Sequence, residues 1–514
     1  MRYILSNKLF YVFLLGFCLR FYACVNTPVI NPDGVHYIQQ AKAIYYGEWQ
    51  SLRSTLSYVA NYPFFIAGAY KLCNDWIIAA RSISLLFGFA TLIPLYLLLK
   101  RFFSDTISAL CILIFSLIPV FVSRSGDVVR DPVFWFFGIL GLYFFIAQID
   151  NKKRTPILFS NISFLLASWA RIEGILFIAI SCVYLIFFQK EHTLQRLFVF
   201  LLPLLLIISV AVSFAAFSDI PIAKLYRTNE IVSKFPQTLD QYHGLRANLK
   251  DLAAAHGDSR VRDFLGKSRN LVWLIALGTV CRYAVAAFFY PFFLIFLIGL
   301  IGVRKRIRND KRVFYFFLLV IAALLLLYLQ VMHEWIIQYR FLAVVILPSC
   351  IFLGFGLEKI VSFVREKFDL KEYTVLIIVV CLLLASALPK NLKSRETDKA
   401  VFRQIGELIA ERGGPEQVNK VAGSSSKFHR WVSFYANVDY PGIFRLQNQA
   451  IRGNTYSQFF DYARKQGIQY LLWEEKQWPA ERFDLLQANY DQDFKRLGCW
   501  SHPDTGRVIL FERI

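Results

Sequence analysis

Long apolar runs make up most of the chain, and short charged or polar segments separate them. A helix needs roughly 20 mainly apolar residues to span a bilayer, and about eleven runs reach or approach that length. The pattern therefore predicts a polytopic α-helical membrane protein with about eleven transmembrane helices. The runs begin near Tyr3, Ile77, Thr106, Pro132, Pro156, Gly174 and Leu197, between Leu271 and Tyr283, and near Val313, Phe341 and Tyr373.

The pattern changes after Pro389, where amphipathic helices begin to alternate with short apolar strands. Such alternation indicates a small α/β domain outside the membrane. We therefore predict a transmembrane catalytic domain at 1–389, followed by an α/β domain at 390–514. The first domain has long loops at 25–76 and 218–270, and the second loop contains a helical patch over 239–252. The C-terminal helices are predicted over 399–411 and 456–465, and the strands over 418–422, 468–473 and 507–513.

Composition and charge agree with a membrane protein. Of 514 residues, 56% are hydrophobic and 50 are Phe, which is too apolar for a soluble enzyme of this length. The net charge is +21, and much of the basic excess lies in short loops such as 304–312. Because no basic stripe with interleaved aromatics is present, nucleic acid is excluded as a partner, and membrane lipids are expected to face the basic loops.

Basic loops fall on alternate connections between the apolar runs, including Lys100-Arg101 and 304–312. The positive-inside rule assigns these loops to the cytoplasm, and the N-terminus with them. An odd number of spans then carries the 390–514 domain to the opposite face, together with the loop that contains Asp33.

The first of these outer loops carries Asn31-Pro32-Asp33-Gly34, a turn sequence, and a helical pattern that includes Tyr37 follows it. The pattern predicts an amphipathic helix lying along the membrane interface, with Asp33 at or near its first turn. Asp33 is then either the N-cap of this helix or a functional carboxylate at the membrane surface.

A second group of charges lies between the third and fourth runs. Two acids, Asp127 and Asp131, alternate there with Arg124 and Arg130 in one short turn. The group is either a self-neutralising loop or a second carboxylate site that faces Asp33 across a cleft, with the arginines as anion ligands.

Three further cations interrupt apolar runs. Arg171 and Glu173 form a charged elbow that is costly to place in lipid. They form either a structural ion pair, which requires a turn, or part of a functional site. Arg282 is either a snorkelling side chain or a ligand. Tyr339-Arg340 offers an aromatic beside a fixed cation, which suits a phosphate at the membrane surface.

No metal site is predicted. The pair His333-Glu334 resembles the start of a zinc motif, but position 337 is Ile where the second His would be required. The nine cysteines are scattered and form no CxxC pair. No cofactor is expected, although a divalent metal stays open.

Four features, taken in chain order, resemble the GT-C superfamily of glycosyltransferases. The chain is most similar to bacterial relatives of the dolichyl-phosphate-mannose protein O-mannosyltransferases and of the lipid A aminoarabinose transferase. The four features are Pro32-Asp33-Gly34 with Tyr37 in a first outer loop, Arg130-Asp131-Pro132 in a second, the elbow Arg171-Ile172-Glu173-Gly174, and Tyr339-Arg340-Phe341 leading to Pro348 within a span. A small C-terminal domain outside the membrane follows them as a fifth feature.

The resemblance implies an inverting transfer of a hexose or pentose from a polyprenyl-phosphate carrier to an acceptor at the periplasmic face of the bacterial inner membrane. The acceptor could be lipid A, a surface glycan or a protein. The mannosyltransferases carry an Asp-Glu pair in the first loop, whereas Gly34 follows Asp33 here, so the acceptor stays open.

The resemblance also implies roles for individual residues. Asp33 corresponds to the first-loop acid, and Asp127 or Asp131 to the second-loop acid, as catalytic candidates. The cations expected at the lipid phosphate are Arg171, Arg340 and Arg282, and the supporting residues are Glu173, Tyr37, Tyr339 and Arg130.

Two other functions use similar features. Intramembrane charges also mark the pathways of transporters and flippases, but no internal repeat is visible. A ligase or polymerase of lipid-linked glycans would require basic residues on the acceptor side, whereas Asp33 favours the monophosphate donor.

Overall fold

The computed structural model describes residues 2–53, 58–151, 154–189, 192–218, 228–444, 451–479, 481 and 483–514. Parts of both predicted outer loops, 54–57 and 219–227, lie outside the described residues. The polar side chains Lys224 and Arg227 of the second loop are among them.

Contacts divide the chain into two compact units. One unit, here called the helical unit, contains residues 1–21, 85–125 and 130–392. The other, the loop–sheet unit, contains residues 22–84, 126–129 and 393–514. The first outer loop and four residues of the second thus group with the C-terminal residues, although they are far from them in sequence.

The chain is a polytopic helical membrane protein. Within the described residues, eight helices are long and apolar enough to cross a membrane, or nine if the pair Asp105–Leu117 and Pro119–Ser125, bent by 64°, counts as one span. Two more predicted spans are shorter apolar helices, Thr155–Ala170 and Ile172–Phe188. The estimate of about eleven therefore exceeds the eight or nine full-length spans because it includes helices shorter than the roughly 20 residues a bilayer requires.

The span Tyr339–Phe368 is the most enclosed, with 89% of its apolar window buried inside the protein. An apolar helix buried on all sides packs against protein rather than lipid. This span therefore forms the core of the helical unit. The helices that lie wholly in this unit are Leu92–Leu99, Asp105–Leu117, Pro119–Ser125, Asp131–Asn151, Arg154–Ala170, Ile175–Phe188, Thr193–Ser218, Thr228–Ala255, Ser259–Phe288, Tyr290–Gly302, Arg304–Asn309, Lys311–Glu334, Ala343–Phe368 and Glu372–Leu392; Arg2–Val25 and Trp76–Ala90 lie in both units.

The predicted loop at 218–270 is mainly helical. Helix Thr228–Ala255 contains the predicted helical patch at 239–252, and helix Ser259–Phe288 follows after a short break. Asp258 begins the second helix, because its side chain accepts a hydrogen bond from the backbone N–H of Arg260 at 2.8 Å. Polar sequence at this place therefore forms helix Thr228–Ala255 and the first turns of helix Ser259–Phe288, a candidate membrane span, rather than an irregular loop.

A four-stranded mixed sheet organises the C-terminal part of the loop–sheet unit, in the order β1-β2-β4-β3. The strands are β1, Val421–Gly423; β2, Tyr470–Glu474; β3, Phe494–His502; and β4, Gly506–Arg513. Strands β1 and β2 are parallel, and the other two pairs are antiparallel. The helices of this unit are Pro32–Tyr45, Tyr62–Cys73, Ala400–Gly413, Ser426–Tyr435 and Tyr456–Gln466.

The prediction of a small C-terminal α/β domain is confirmed. Two of its helices and three of its strands lie where the sequence pattern placed them, within a few residues. The pattern missed β3 and helix Ser426–Tyr435. Strand β3 alternates buried and exposed residues imperfectly and contains a bulge between Arg496 and Gly498, which breaks the period-two signal.

Helix Pro32–Tyr45 is buried on nearly all sides within the loop–sheet unit. Its apolar residues Val35 and Ile38 are fully buried, and so are the polar residues Gln39 and Lys42. Protein therefore covers the polar face of this helix as well as its apolar face. Its place along the membrane interface stays a prediction.

Candidate active site

Asp33 lies in the first turn of helix Pro32–Tyr45, as predicted. The N-cap of this helix is Asn31, whose side-chain Oδ1 accepts the backbone N–H of Asp33 at 3.0 Å. Pro32 occupies the first helical position, where its missing N–H is harmless. Because Asn31 performs the capping, the half-buried carboxylate of Asp33 is not required for it.

Asp127 connects the second outer loop to the residues just before Asp33. Its Oδ1 accepts the backbone N–H groups of Asn31 and of Val128, each at 2.8 Å. Two charge-assisted hydrogen bonds to a buried carboxylate fix the local backbone. Two of the three predicted acids, Asp33 and Asp127, therefore belong to one unit and are linked through Asn31.

Gly34 explains why no second acid follows Asp33. A Cβ atom at this position would lie 2.7 to 2.8 Å from the side chain and carbonyl oxygen of Val128. Such distances are shorter than any normal carbon contact. The close approach of the second loop therefore requires glycine at this position, and a Glu would not fit without movement of the backbone.

His36 lies one helical turn after Asp33 and was not predicted as a site residue. Burial lowers its pKa, the nearby charge of Arg430 lowers it further, and the charge of Asp33 opposes them. At neutral pH the imidazole beside Asp33 is therefore neutral. The i, i+3 spacing of the two residues on a helix is the sequence signal that could have identified it.

Tyr37 is buried beneath the same helix. Its ring packs edge-to-face against Tyr62, with the centroids 5.6 Å apart. Tyr62 donates its hydroxyl to the carbonyl oxygen of Ala80 at 2.7 Å. Tyr37 therefore supports the helix that carries Asp33 and is enclosed by protein.

In the helical unit, Arg171 forms ion pairs with two acids. Its Nη1 donates to Asp131 at 2.5 Å, and its Nε and Nη2 donate to the two carboxylate oxygens of Glu173. Arg171 is 5% exposed and Asp131 is 1% exposed. The guanidinium thus pairs with both carboxylates in a region where unpaired charges would be costly, and its single positive charge offsets one of their two negative charges.

A turn makes the pairing of Arg171 with Glu173 possible. Arg171 has an extended backbone, and the 3₁₀ turn Ile172–Gly174 follows it. A Cβ at Gly174 would lie 2.6 Å from the backbone nitrogen of Ser168, so the chain reverses too closely for a side chain. The structural alternative considered for this elbow, an ion pair across a turn, is therefore present.

Arg340 lies beside the same ion pairs. The guanidinium carbons of Arg171 and Arg340 lie 5.1 Å and 5.7 Å from the ring centroid of Phe341, which is cation–π distance for both. Arg340 belongs to the 3₁₀ turn Tyr339–Leu342 and is half-buried. Phe341 thus holds two cations together next to Asp131.

The remaining predicted residues surround this group. Tyr339 is exposed and packs against Tyr283, with their centroids 5.1 Å apart. Arg282, the neighbour of Tyr283, is exposed, and Arg130 is half-buried next to Asp131 in the chain. Within the part of the chain that the structure describes, no group of three or more His, Cys, Asp and Glu side chains is placed to hold a metal.

The sequence of residues 61–216 matches the family model of the dolichyl-phosphate-mannose-protein mannosyltransferases. Over this part of the chain, the sequence is similar to a family of GT-C glycosyltransferases. The match contains the turn with Asp131 and the elbow with Arg171 and Glu173, so the resemblance seen in the sequence is confirmed. That family is named for dolichyl-phosphate-mannose, a sugar on a polyprenyl-phosphate carrier. No curated protein matches the chain in sequence.

Two solved structures share the fold of this chain. An oligosaccharyltransferase from Archaeoglobus fulgidus, tethered to an acceptor peptide, superposes with a TM-score of 0.58 at 12% identity over 93% of this chain and 70% of that one. The archaeal oligosaccharyltransferase AglB from the same organism, in complex with an inhibitory peptide and a dolichol-phosphate, superposes with a TM-score of 0.51. The identity is 13% over 100% of this chain and 74% of that one. ArnT from Cupriavidus metallidurans gives 0.44 at 14% identity over 98% of both chains, a score too low to establish a common fold.

Proposed function

We propose that this glycosyltransferase transfers a hexose or pentose, with inversion, from a polyprenyl-phosphate carrier to an acceptor at the periplasmic face of the bacterial inner membrane. In this proposal the N-terminus is cytoplasmic and the C-terminal sheet is periplasmic. The acceptor is lipid A, a surface glycan or a protein.

The observation that carries the proposal is the carboxylate of Asp33 at a helix N-terminus that Asn31 already caps. Glycosyl transfer from a phosphate carrier needs a base that takes the acceptor's proton as the new bond to C1 forms. An ordinary carboxylate, with a pKa of about 3.9, cannot deprotonate an alcohol beforehand, so proton transfer and bond formation occur together. Asp33 fits this role, with Asp127 holding its loop.

The departing phosphate requires cations, because negative charge accumulates on it in the transition state. We propose that Arg340 contacts this phosphate and that Arg171 lies behind it. The ion pairs of Arg171 with Asp131 and Glu173 orient its guanidinium and more than offset its single positive charge, whereas Arg340 is half-buried on the same Phe341 ring. Arg282 is a further phosphate ligand in this proposal, with Tyr339 and Arg130 as supporting residues.

A transfer assay tests the proposed function. Purified protein is mixed with membranes from a strain that lacks it and with labelled mannosyl, glucosyl or aminoarabinosyl undecaprenyl phosphate. The proposal predicts that label from at least one donor is incorporated into the membranes and that undecaprenyl phosphate is released in equal amount. A flippase would release none, so the absence of both products with all three donors contradicts the proposal.

A further inference from the structure

The segment just before Asp33, residues 27–31, is held by side chains from three distant parts of the chain. It has no regular secondary structure before the N-cap. The carbonyl oxygens of four consecutive residues nevertheless accept hydrogen bonds from side chains. These four residues, all in the loop–sheet unit, are Thr27, Pro28, Val29 and Ile30.

Two aromatic side chains of helix Ser426–Tyr435 hold Ile30 by both of its backbone groups. The indole Nε1–H of Trp431 donates to the carbonyl oxygen of Ile30 at 2.8 Å. The hydroxyl oxygen of Tyr435 accepts the N–H of Ile30 at 2.9 Å. Burial raises the pKa of Tyr435 to about 12, so the phenol remains a neutral partner at physiological pH. Ile30 itself is fully buried, so its backbone groups cannot turn to water instead.

Two arginines bind the rest of the segment. Arg81 donates to the carbonyl oxygens of Thr27 at 2.6 Å and Val29 at 3.4 Å. Arg403 donates to the carbonyl oxygen of Pro28 at 3.2 Å. On the other side of Ile30, Asp127 accepts the N–H of Asn31. An irregular backbone segment fixed by so many side chains has little freedom to move.

We infer that Trp431, Tyr435 and Arg403 of the C-terminal part are positioning residues for the catalytic base, acting through the backbone of residues 27–31. The inference rests on the proposed role of Asp33. It assigns the C-terminal part a task in catalysis itself, besides any contact it makes with an acceptor. None of the three touches the reacting atoms: each fixes the segment from which Asn31 and Asp33 follow.

The physical reason is the sensitivity of proton transfer to distance. A base must lie within hydrogen-bond reach of the proton it removes. A displacement of about 1 Å can lower the rate on the order of 100-fold. Loosening residues 27–31 should therefore lower kcat, while the donor phosphate site, which lies elsewhere in the sequence, keeps its affinity.

Tyr435→Phe is the sharpest test, because it removes one hydroxyl and keeps the ring. Its matched control is Tyr456→Phe, which removes the 2.8 Å hydrogen bond to Asp493 elsewhere in the same unit. A second pair is Trp431→Phe against Trp473→Phe. Both indoles are buried, but Nε1 of Trp473 has no hydrogen-bond partner among the described residues.

Two readouts on the purified full chain decide the inference. Hydrogen exchange of the peptide that contains residues 27–33 should be faster in Tyr435→Phe and unchanged in Tyr456→Phe. With the labelled donor that the wild type uses, kcat should fall about 10-fold in Tyr435→Phe with donor KM within twofold. In an Asp33→Asn background the same change should cause no further loss, because residues acting through one group are not additive.

The inference is overturned if Tyr435→Phe matches Tyr456→Phe in either readout, or if its loss persists in the Asp33→Asn background. Failure of the proposed base gives a different result. Asp33→Asn alone then retains activity, while the exchange experiment still reports whether Tyr435 holds the segment.

Discussion

Gly34 is the residue at which a single added carbon should disturb the site most directly. In Gly34→Ala the new Cβ meets the side chain and carbonyl oxygen of Val128, so the helix or the second loop must shift. Overpacking of this kind typically destabilises a protein by about 1–3 kcal/mol. We expect a lower midpoint of thermal unfolding in detergent and a lower transfer rate.

Gly68→Ala is the control for this substitution. Gly68 lies inside helix Tyr62–Cys73, and a Cβ there would meet nothing within 4 Å. Alanine favours a helix by about 1 kcal/mol over glycine, so this variant should be at least as stable as the wild type. Equal stability of the two variants would show that Gly34 has room for a side chain.

The sequence predicted some residue-level features and could not predict others. The turn sequence Asn31-Pro32-Asp33 correctly placed Asp33 in a first helical turn, because proline and the polar side chains are typical of helix starts. The choice of Asn31 rather than Asp33 as the cap depends on backbone angles that composition does not encode. Likewise, only the turn after Arg171 decides that it can reach Glu173.

At the scale of elements, Lys42 fixes helix Pro32–Tyr45 to the C-terminal residues. Its Nζ donates to the carbonyl oxygens of Val438 at 2.7 Å and Tyr440 at 2.9 Å. Burial lowers the pKa of Lys42 to about 8, and Asp439 partly opposes this. The ordinary pKa of lysine, about 10.4, applies to the unfolded chain.

This difference predicts a pH dependence of stability with a definite sign. Between about pH 8 and pH 10.4 the unfolded chain binds more protons at Lys42 than the folded chain, so the free energy of unfolding should rise with pH. The gain is on the order of 3 kcal/mol over that range. We expect the difference between wild type and Lys42→Met, measured by chemical unfolding at several pH values, to increase in favour of the wild type from pH 8 to 10.

A difference that stays constant over that range would contradict the lowered pKa of Lys42. A difference that falls would mean that folding raises this pKa.

Most helices were predictable because an apolar run of this length has few possible structures other than a membrane-spanning helix. In the second predicted loop only the patch at 239–252 was predicted as helical, because the rest of its polar sequence carries little of the hydrophobic periodicity by which helices are recognised. The break between Ser259–Phe288 and Tyr290–Gly302 was also missed. It occurs at Phe289, a non-glycine residue with φ of +69°, and apolar composition continues through it.

At the scale of the whole molecule, the grouping of the first outer loop with the C-terminal sheet was beyond the sequence pattern. Residues 22–84 and 393–514 share one unit through contacts such as those of Trp431, Tyr435 and Lys42. Each of these is an ordinary polar or aromatic residue in its local sequence. Contacts between residues so far apart in the chain leave no signal in the local sequence pattern.

Orientation in the membrane is a prediction for the whole molecule. The basic loop at 304–312 should be cytoplasmic, and the C-terminal sheet, with its exposed Cys499, should be periplasmic. In a variant whose only cysteine is Cys499, a membrane-impermeant maleimide should label intact cells. A variant whose only cysteine is introduced by Arg308→Cys should be labelled only after the cells are lysed. The reverse labelling pattern would show that the protein has the opposite orientation in the membrane.

The central claim for the molecule is that Asp33 is the catalytic base, and the transfer rate of Asp33→Asn tests it most directly. Asn is nearly isosteric and Asn31 supplies the cap, so folding should be preserved. The control is Asp258→Asn, the same change at the N-cap of helix Ser259–Phe288, where Asn caps about as well as Asp. We predict that Asp33→Asn lowers turnover roughly 100-fold to 10,000-fold while donor binding survives and the control stays active. Turnover of Asp33→Asn within a few-fold of the wild type would contradict the account and transfer the role of base to Asp127 or Asp131.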